Sequence, residues 1–464
     1  MIEKRIPVLF RKGTVLNLRD DNADAYILAE GITDANAKKA ITYLVTDLKA
    51  INTVEADFVN FETPASSKRK AIYPYPGTVA SENKRNLINP LDADAANRLV
   101  ISGTPDISAK GVSYPSGASA DTKLVPSTAL VFEHHEYDIA ISEDLDNTAD
   151  NVDLGSGNSC RLSTKTGATF ATYSADGSTS VLSANPYDEP SSAFVQMNKS
   201  SNAIGDAKLR RNGRLLISST LEATGNNGAI SMRINLSTKP SNRRYSFVGI
   251  GDYIPDAANE LYLKAIENYN YRMGRLNTLN LSIEGHSFTT SNKMITPIRT
   301  GLKLNSLTPY QIRTFGVSGS NVAQMVARAD TCNASLKSSD LIPFKNCLVL
   351  WIGTNDLSTL GTATTTYAAM KAYIISELSA GWEKVIAFTC TPEITNKLSI
   401  PPFNELMRTD LITVPNVHVI DTDLITELAN PADTNIYSDG LHMTTLGYSY
   451  AIAPLVAKIT ELYG

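Results

Sequence analysis

Five short apolar runs recur in the second half of the chain: Leu279–Ile283, Ile312–Phe315, Cys347–Ile352, Val385–Thr389 and Val417–Ile420. Helical spacing marks Asn321–Ala329 and Thr365–Ala380 between them, and Thr444–Tyr463 closes the chain. Runs of strand length with few polar interruptions are buried on both faces, and their alternation with helices predicts a parallel sheet covered on both sides. Residues from about 71 to 262 read differently, as short alternating runs set in Ser, Thr, Asn, Gly and Asp. Ile230–Leu236 alternates apolar and polar without a break, and Tyr137, Ile139 and Ile141 do likewise. Asn212-Gly213 between Lys208–Arg211 and Arg214–Ile217 is a hairpin signal, because both turn residues must take positive φ. Asn227-Gly228 repeats that signal before the next strand. Many short strands separated by turns predict a β-sandwich or jelly roll.

The N-terminal stretch begins with a strand-like segment and a turn at Arg19–Asn22. An amphipathic helix follows over 34–51, with Asp34 as its N-cap and Ile41, Leu44, Val45, Leu48 and Ile51 on one face. With little core nearby in sequence, that face is expected to pack on another chain. A further helix, Ala257–Arg275, places Leu261, Leu263, Ile266 and Tyr269 toward one side. The organisation expected is multidomain: a small α/β leader over 1–70, a sandwich over 71–262, a linker helix over 263–275, and an α/β domain with a flavodoxin-like parallel sheet over 276–464.

Composition narrows the function classes. With 464 residues the chain has room for two or three cores, and 42% hydrophobic with 19% charged residues is ordinary for a globular protein. A net charge of −5 argues against a dedicated nucleic-acid binder, which carries a basic stripe. No run approaches the roughly 18 apolar residues of a membrane span. The segment Met1–Arg11 lacks the apolar stretch of a signal peptide, so synthesis without ordinary export is expected. Cys160, Cys332, Cys347 and Cys390 have no ligand or disulfide spacing and read as buried thiols. His134-His135 lacks further ligands, so neither metal nor cofactor is expected, and His418 reads as a core or rim residue.

Chemistry collects at the ends of the predicted parallel strands, where loops and helix N-termini converge. Gly285-His286-Ser287-Phe288 follows the first, Gly316-Val317-Ser318-Gly319 the second, and Gly353-Thr354-Asn355-Asp356 the third. Asp439-Gly440-Leu441-His442 comes after the fifth. A serine near a helix N-terminus, a glycine presenting its N–H and an asparagine amide suit a developing oxyanion. A carboxylate three residues from an imidazole suits a general base that activates a serine. Each block alone is an ordinary turn or helix cap; four at strand ends are not.

The order and spacing of these blocks resemble the SGNH hydrolases, also called GDSL-type esterases, over residues 276–464. The resemblance implies a three-layer α/β hydrolase fold with Ser287 as nucleophile, His442 as general base and acid, and Asp439 orienting His442. It places the oxyanion hole at the N–H groups of Ser287 and Gly319 and the side chain of Asn355. One residue departs from the pattern: His286 stands where the family has Asp.

The stretch Asn97–Ile141 resembles the concanavalin-like sandwich modules of phage tail fibres and tailspikes, and residues 21–50 resemble their leaders more faintly. That resemblance implies a virion protein, homotrimeric, contacting other tail proteins and acting at the bacterial surface without membrane insertion. Together the two imply removal of O-acetyl or similar groups from a surface polysaccharide. Two alternatives stay open: a receptor-binding fibre whose hydrolase fold is inert, and a bacterial carbohydrate esterase unrelated to virions. Tyr114, Tyr137, Tyr173 and Tyr187 are the sandwich's candidates for sugar stacking, each read first as a packing residue.

Overall fold

The structure is a computed structural model that describes residues 19–77, 83–115, 117–131, 135–141, 153–156, 160–166, 169–174, 180–184, 193–201, 203, 205–218, 231–235, 243–290, 292–359, 362–393 and 398–464. Contacts divide them into two units, the first running to Leu276 and the second from Asn277 onward, apart from 339–342. The division falls after the expected linker helix, and the expected boundary at 70 does not separate two cores.

In the first unit two antiparallel sheets share one core. Among the described residues the first has eight strands, in the order Arg214–Ser218, Ala207–Arg211, Ala193–Lys199, His135–Ile141, Arg244–Asp252, Gly111–Ser113 and Asp106–Ser108, with Arg69–Tyr73 also paired to Arg244–Asp252. The second has seven, from Ser180–Ala184 at one edge to Val100–Ser102 at the other. Val195, Met197 and Leu209 of the first sheet are buried in one cluster with Ala120, Leu154, Leu162 and Ile234 of the second. Asn212 and Gly213 form the expected hairpin, with φ 47° and 80°. Of the run Ile230–Leu236, Arg233–Ile234 is strand, while Ile230 and Leu236, like Asn227-Gly228 and the strand-like start of the chain, lie outside the described residues.

The other face of the larger sheet is covered by helices. In strand Arg69–Tyr73, Ala71 and Tyr73 lie in the inter-sheet core and Ile72 on the helical side. In Arg244–Asp252, Tyr245, Val248 and Ile250 face the inter-sheet core and Phe247 the helices. A spacing of three between Tyr245 and Val248 breaks the two-residue period, and a bulge between Tyr245 and Phe247 absorbs the extra residue. Helix Ala35–Ile51 begins as expected, with Asp34 accepting the Ala37 N–H at 2.7 Å. Its apolar face does not await another chain. Ile41, Leu44, Val45, Leu48 and Ile51 are buried with Tyr262, Ile266 and Tyr269 of helix Asp256–Arg272. At about 2 kcal/mol for each large apolar side chain, this burial gives the helix ample reason to stay on its own unit. The expected linker over 263–275 is thus the second half of a core helix. The turn expected at Arg19–Asn22 is a helix start: Asp20 accepts the N–H groups of Asn22 and Ala23 and opens helix Asp21–Glu30.

The second unit is built on five parallel strands, β1 (Leu279–Gly285), β2 (Gln311–Thr314), β3 (Lys345–Trp351), β4 (Lys384–Phe388) and β5 (Val417–Ile420), in the order β2-β1-β3-β4-β5. Leu281, Ile283, Val349 and Trp351 face helices Asn292–Leu304 and Thr445–Tyr463, whereas Leu348, Leu350 and Val385 face Ala363–Ala380 and Ile400–Thr409. The sheet is therefore the middle of three layers. Strand order reverses between β1 and β3, and at such a point loops from neighbouring strands diverge and open a crevice at the carboxyl ends. The helix expected over Asn321–Ala329 is two short ones, Val322–Val326 and Ala329–Asn333, with Arg328 between them. No helix among the described residues is long and apolar enough to cross a membrane.

Candidate active site

β1 ends where only glycine fits. A Cβ on Gly285 would lie 2.1 Å from the Trp351 carbonyl oxygen of β3. The chain then turns through His286 into a single 3-10 turn, Ser287–Thr289. The buried His286 ring caps that turn, its Nδ1 accepting from the Phe288 N–H at 3.5 Å, and it packs edge-on against the Phe288 ring at 4.6 Å. Phe288 lies against Trp351, and its carbonyl accepts the Tyr448 hydroxyl at 2.8 Å. Ser287 is thus presented, half-buried, on an anchored turn.

The partners of Ser287 arrive from the far end of the sequence. Tyr437 and Met443 pair in an isolated bridge, so residues between them form a tight loop with Gly440 at φ 80° at its tip. Asp439 Oδ1 accepts the backbone N–H groups of Leu441 at 3.0 Å and His442 at 2.6 Å. Its Oδ2 lies 2.7 Å from His442 Nδ1, and His442 Nε2 lies 2.9 Å from Ser287 Oγ. A carboxylate at Nδ1 places the ring hydrogen there and leaves Nε2 as the acceptor facing the serine hydroxyl. The little burial Asp439 has pushes its carboxyl up, but the hydrogen bonds from the His442 ring and the two backbone N–H groups outweigh it and hold the carboxyl below the usual range. The pair stays open to solvent, with the His442 and Asp439 side chains 41% and 53% exposed.

The two remaining blocks meet each other. Gly319 lies in the turn Val317–Ser320, closed by the Ser320 N–H on the Val317 carbonyl at 3.1 Å. Asn355, in the first turn of helix Thr354–Thr359, donates its side-chain amide to the Ser320 carbonyl at 2.8 Å. Asp356 accepts the Val322 N–H with both oxygens, at 3.2 and 3.1 Å. The turn after β2 also reaches back to β1, through the Val317 N–H on the Gly285 carbonyl at 3.1 Å. The five residues expected at the site therefore fall into two groups: Ser287, His442 and Asp439, joined by hydrogen bonds, and Gly319 with Asn355, whose amide bonds the carbonyl of the next residue, Ser320.

Four residues not foreseen from sequence tie these loops together: Glu284, Ser320, Arg328 and Tyr373. Glu284, a fully buried carboxyl one residue before Gly285, accepts the Tyr373 hydroxyl and pairs with Arg328. A carboxylate immediately before the glycine that ends β1 was the available signal. Of the sugar-stacking candidates, Tyr114 is buried in the inter-sheet core beside Tyr245 and is not a sugar platform. Tyr187 and His134 lie outside the described residues, as do the side chains of Tyr137, Tyr173, His135 and Cys160. Cys332, Cys347 and Cys390 are buried and form no disulfide among the described residues, and His418 is a half-buried residue of β5. No cluster of metal-ligating side chains is present among the described residues.

No model of a known protein family matches the chain, and no curated protein does. Among solved structures it is similar to a lipolytic protein of the G-D-S-L family from Veillonella parvula, at 18% identity over 39% of this chain and 97% of that one, with a TM-score of 0.33. A lipase/acylhydrolase from Enterococcus faecalis is similar at 19% identity over 39% and 96%, with a TM-score of 0.32. A family 3 carbohydrate esterase from Talaromyces cellulolyticus is similar at 15% identity over 40% and 99%, with a TM-score of 0.31.

Proposed function

We propose that residues 277–464 form a serine ester hydrolase. What carries this reading is the continuous relay from Asp439 Oδ2 to His442 Nδ1, and from His442 Nε2 to Ser287 Oγ, at 2.7 and 2.9 Å. Ser287 Oγ attacks the ester carbonyl while its proton passes to His442 Nε2, and Asp439 stays ionised beside the imidazolium. The tetrahedral oxyanion takes hydrogen bonds from the Ser287 and Gly319 N–H groups and the Asn355 amide. Collapse expels the alcohol, which leaves with the proton from His442. Water, deprotonated by His442, then releases the acyl group as a carboxylic acid and returns the proton to Ser287.

The substrate we assign is an O-acetyl or similar short acyl ester on a bacterial surface polysaccharide. The exposure of His442 and Asp439 supports this, since an ester carried on a polymer reaches an open site without threading a tunnel. Attachment to a virion as a trimer, with the first unit holding the glycan, rests on the sequence resemblance of the first 275 residues alone. The test is acetate release from acetylated capsular polysaccharide and hydrolysis of 4-nitrophenyl acetate, with wild type and Ser287→Ala side by side. Hydrolysis of neither substrate by the wild type sinks the reading. Light scattering on the intact chain tests the trimer.

A further inference from the structure

The loops that carry the proposed oxyanion donors hang on one guanidinium. Arg328 sits between two short helices with its side chain 19% exposed. Its Nη1 donates to Ser320 Oγ at 2.9 Å and its Nη2 to the Gly285 carbonyl at 3.0 Å. Its Nε lies 3.5 Å from Oε1 of the fully buried Glu284, whose other oxygen accepts the Tyr373 hydroxyl. Gly285 is the last residue of β1, two positions before Ser287. Ser320 adjoins Gly319 and receives the Asn355 amide on its carbonyl at 2.8 Å. One side chain thus grips the strand end that carries the serine and the turn that carries Gly319 and receives the Asn355 amide. Only a planar fork with donors on several edges spans such acceptors together; an ammonium is a point charge.

We propose that Arg328 is a positioning residue for the oxyanion hole, binding the end of β1 to the Ser320 turn and so fixing the Gly319 N–H and the Asn355 amide relative to Ser287. The proposal rests on the ester-hydrolase reading. An oxyanion hole works through donors aimed in advance at charge that forms only in the transition state, so loosening it lowers kcat more than it alters substrate binding. Removing Arg328 need not unfold the unit. Burial already pushes the Glu284 carboxyl up to about 7, against the Tyr373 hydroxyl and Arg328, so without Arg328 it takes up a proton instead of remaining a buried charge.

The experiment compares wild type, Arg328→Met, Asn355→Ala and the double variant on 4-nitrophenyl acetate, with thermal melts alongside. Arg328→Met is expected to lower kcat about 10- to 100-fold with KM within about two-fold of wild type. In the Asn355→Ala background the same change is expected to cost markedly less, because the amide it positions is gone. Arg328→Lys, which keeps a positive charge beside Glu284, serves if the methionine variant does not fold, and the same loss is expected of it. A folded Arg328 variant with unchanged kcat, or losses that multiply fully in the double variant, would overturn the proposal while leaving the esterase reading intact. A wild type without Ser287-dependent hydrolysis would overturn both.

Discussion

The two units bury charge for different ends. In the first, Arg243 and Asp153 form a fully buried pair at 2.9 Å, and Asp153 also accepts the Tyr245 hydroxyl at 2.7 Å. Glu30, equally buried, accepts the backbone N–H groups of Lys84 and Arg85. These groups fasten loops and strands. In the second, the fully buried Glu284 and the mostly buried Arg328 stand behind the end of β1, two residues before Ser287, and Ser287 meets the His442–Asp439 pair, which is half in solvent. The contrast teaches that a perturbed or buried ionisable group marks a site only when it lies at the carboxyl end of a parallel strand next to exposed chemistry. Burial alone marks structure.

That contrast makes separable predictions. The largest effect is expected from Ser287→Ala: loss of ester hydrolysis by roughly 10⁴- to 10⁶-fold, with the melting curve unmoved. An active alanine variant would erase the distinction between the units. Next, Asp153→Ala removes the carboxylate that pairs with the buried Arg243 and is expected to cost the first unit about 3–5 kcal/mol. Both tryptophans, Trp351 and Trp382, belong to the second unit. Their fluorescence should therefore keep its wild-type urea midpoint while circular dichroism shows the earlier loss of strand signal, with kcat unchanged. Asn355→Ala is expected to lower kcat about 10²- to 10³-fold, and a loss confined to KM would remove Asn355 from the oxyanion hole.

The smallest effect concerns Glu30, whose carboxyl burial pushes up to about 7 against the backbone N–H groups and charge of Arg85 and Lys84. The folded state then holds a proton that the unfolded chain has released, so stability falls as pH rises from about 4.5 to about 7 and is level above. Glu30→Gln is expected to flatten that slope and to stabilise the first unit at pH 8 by on the order of 2 kcal/mol. An unchanged urea midpoint at pH 8 would show that Glu30 is not held protonated by burial.

The parallel sheet was legible chiefly through β3 and β4, which are buried on both faces and read as nearly unbroken apolar runs, Cys347–Trp351 and Val385–Phe388. Helix Ile400–Thr409 was hidden by Pro401 and Pro402, which sit in its first turn, where proline costs no hydrogen bond. Asn292–Leu304 was hidden in the same way by an internal Pro297. Asp20 read as a turn because the same short carboxylate that makes an Asx turn also caps a helix. At the site, the four blocks were visible because each is local in sequence. The Glu284–Arg328–Ser320 brace was not, since it joins side chains from separate loops and leaves no spacing to read. The destination of the apolar face of Ala35–Ile51 was equally invisible, because its partner helix begins at Asp256, on the far side of both sheets in sequence.

The loop closed between Tyr437 and Met443 has a consequence for how the site fails. Asp439 holds the backbone of its own loop with one oxygen and the His442 ring with the other, while Tyr437 and Met443, which close the loop, are buried in one core with residues of β1, β3 and β4. The serine reaches it only if β1, its turn and the last helix are all in place. Loosening the sheet should therefore open the loop and the Ser287 turn together, so that the contact between Ser287 and His442 is lost with the core and not ahead of it.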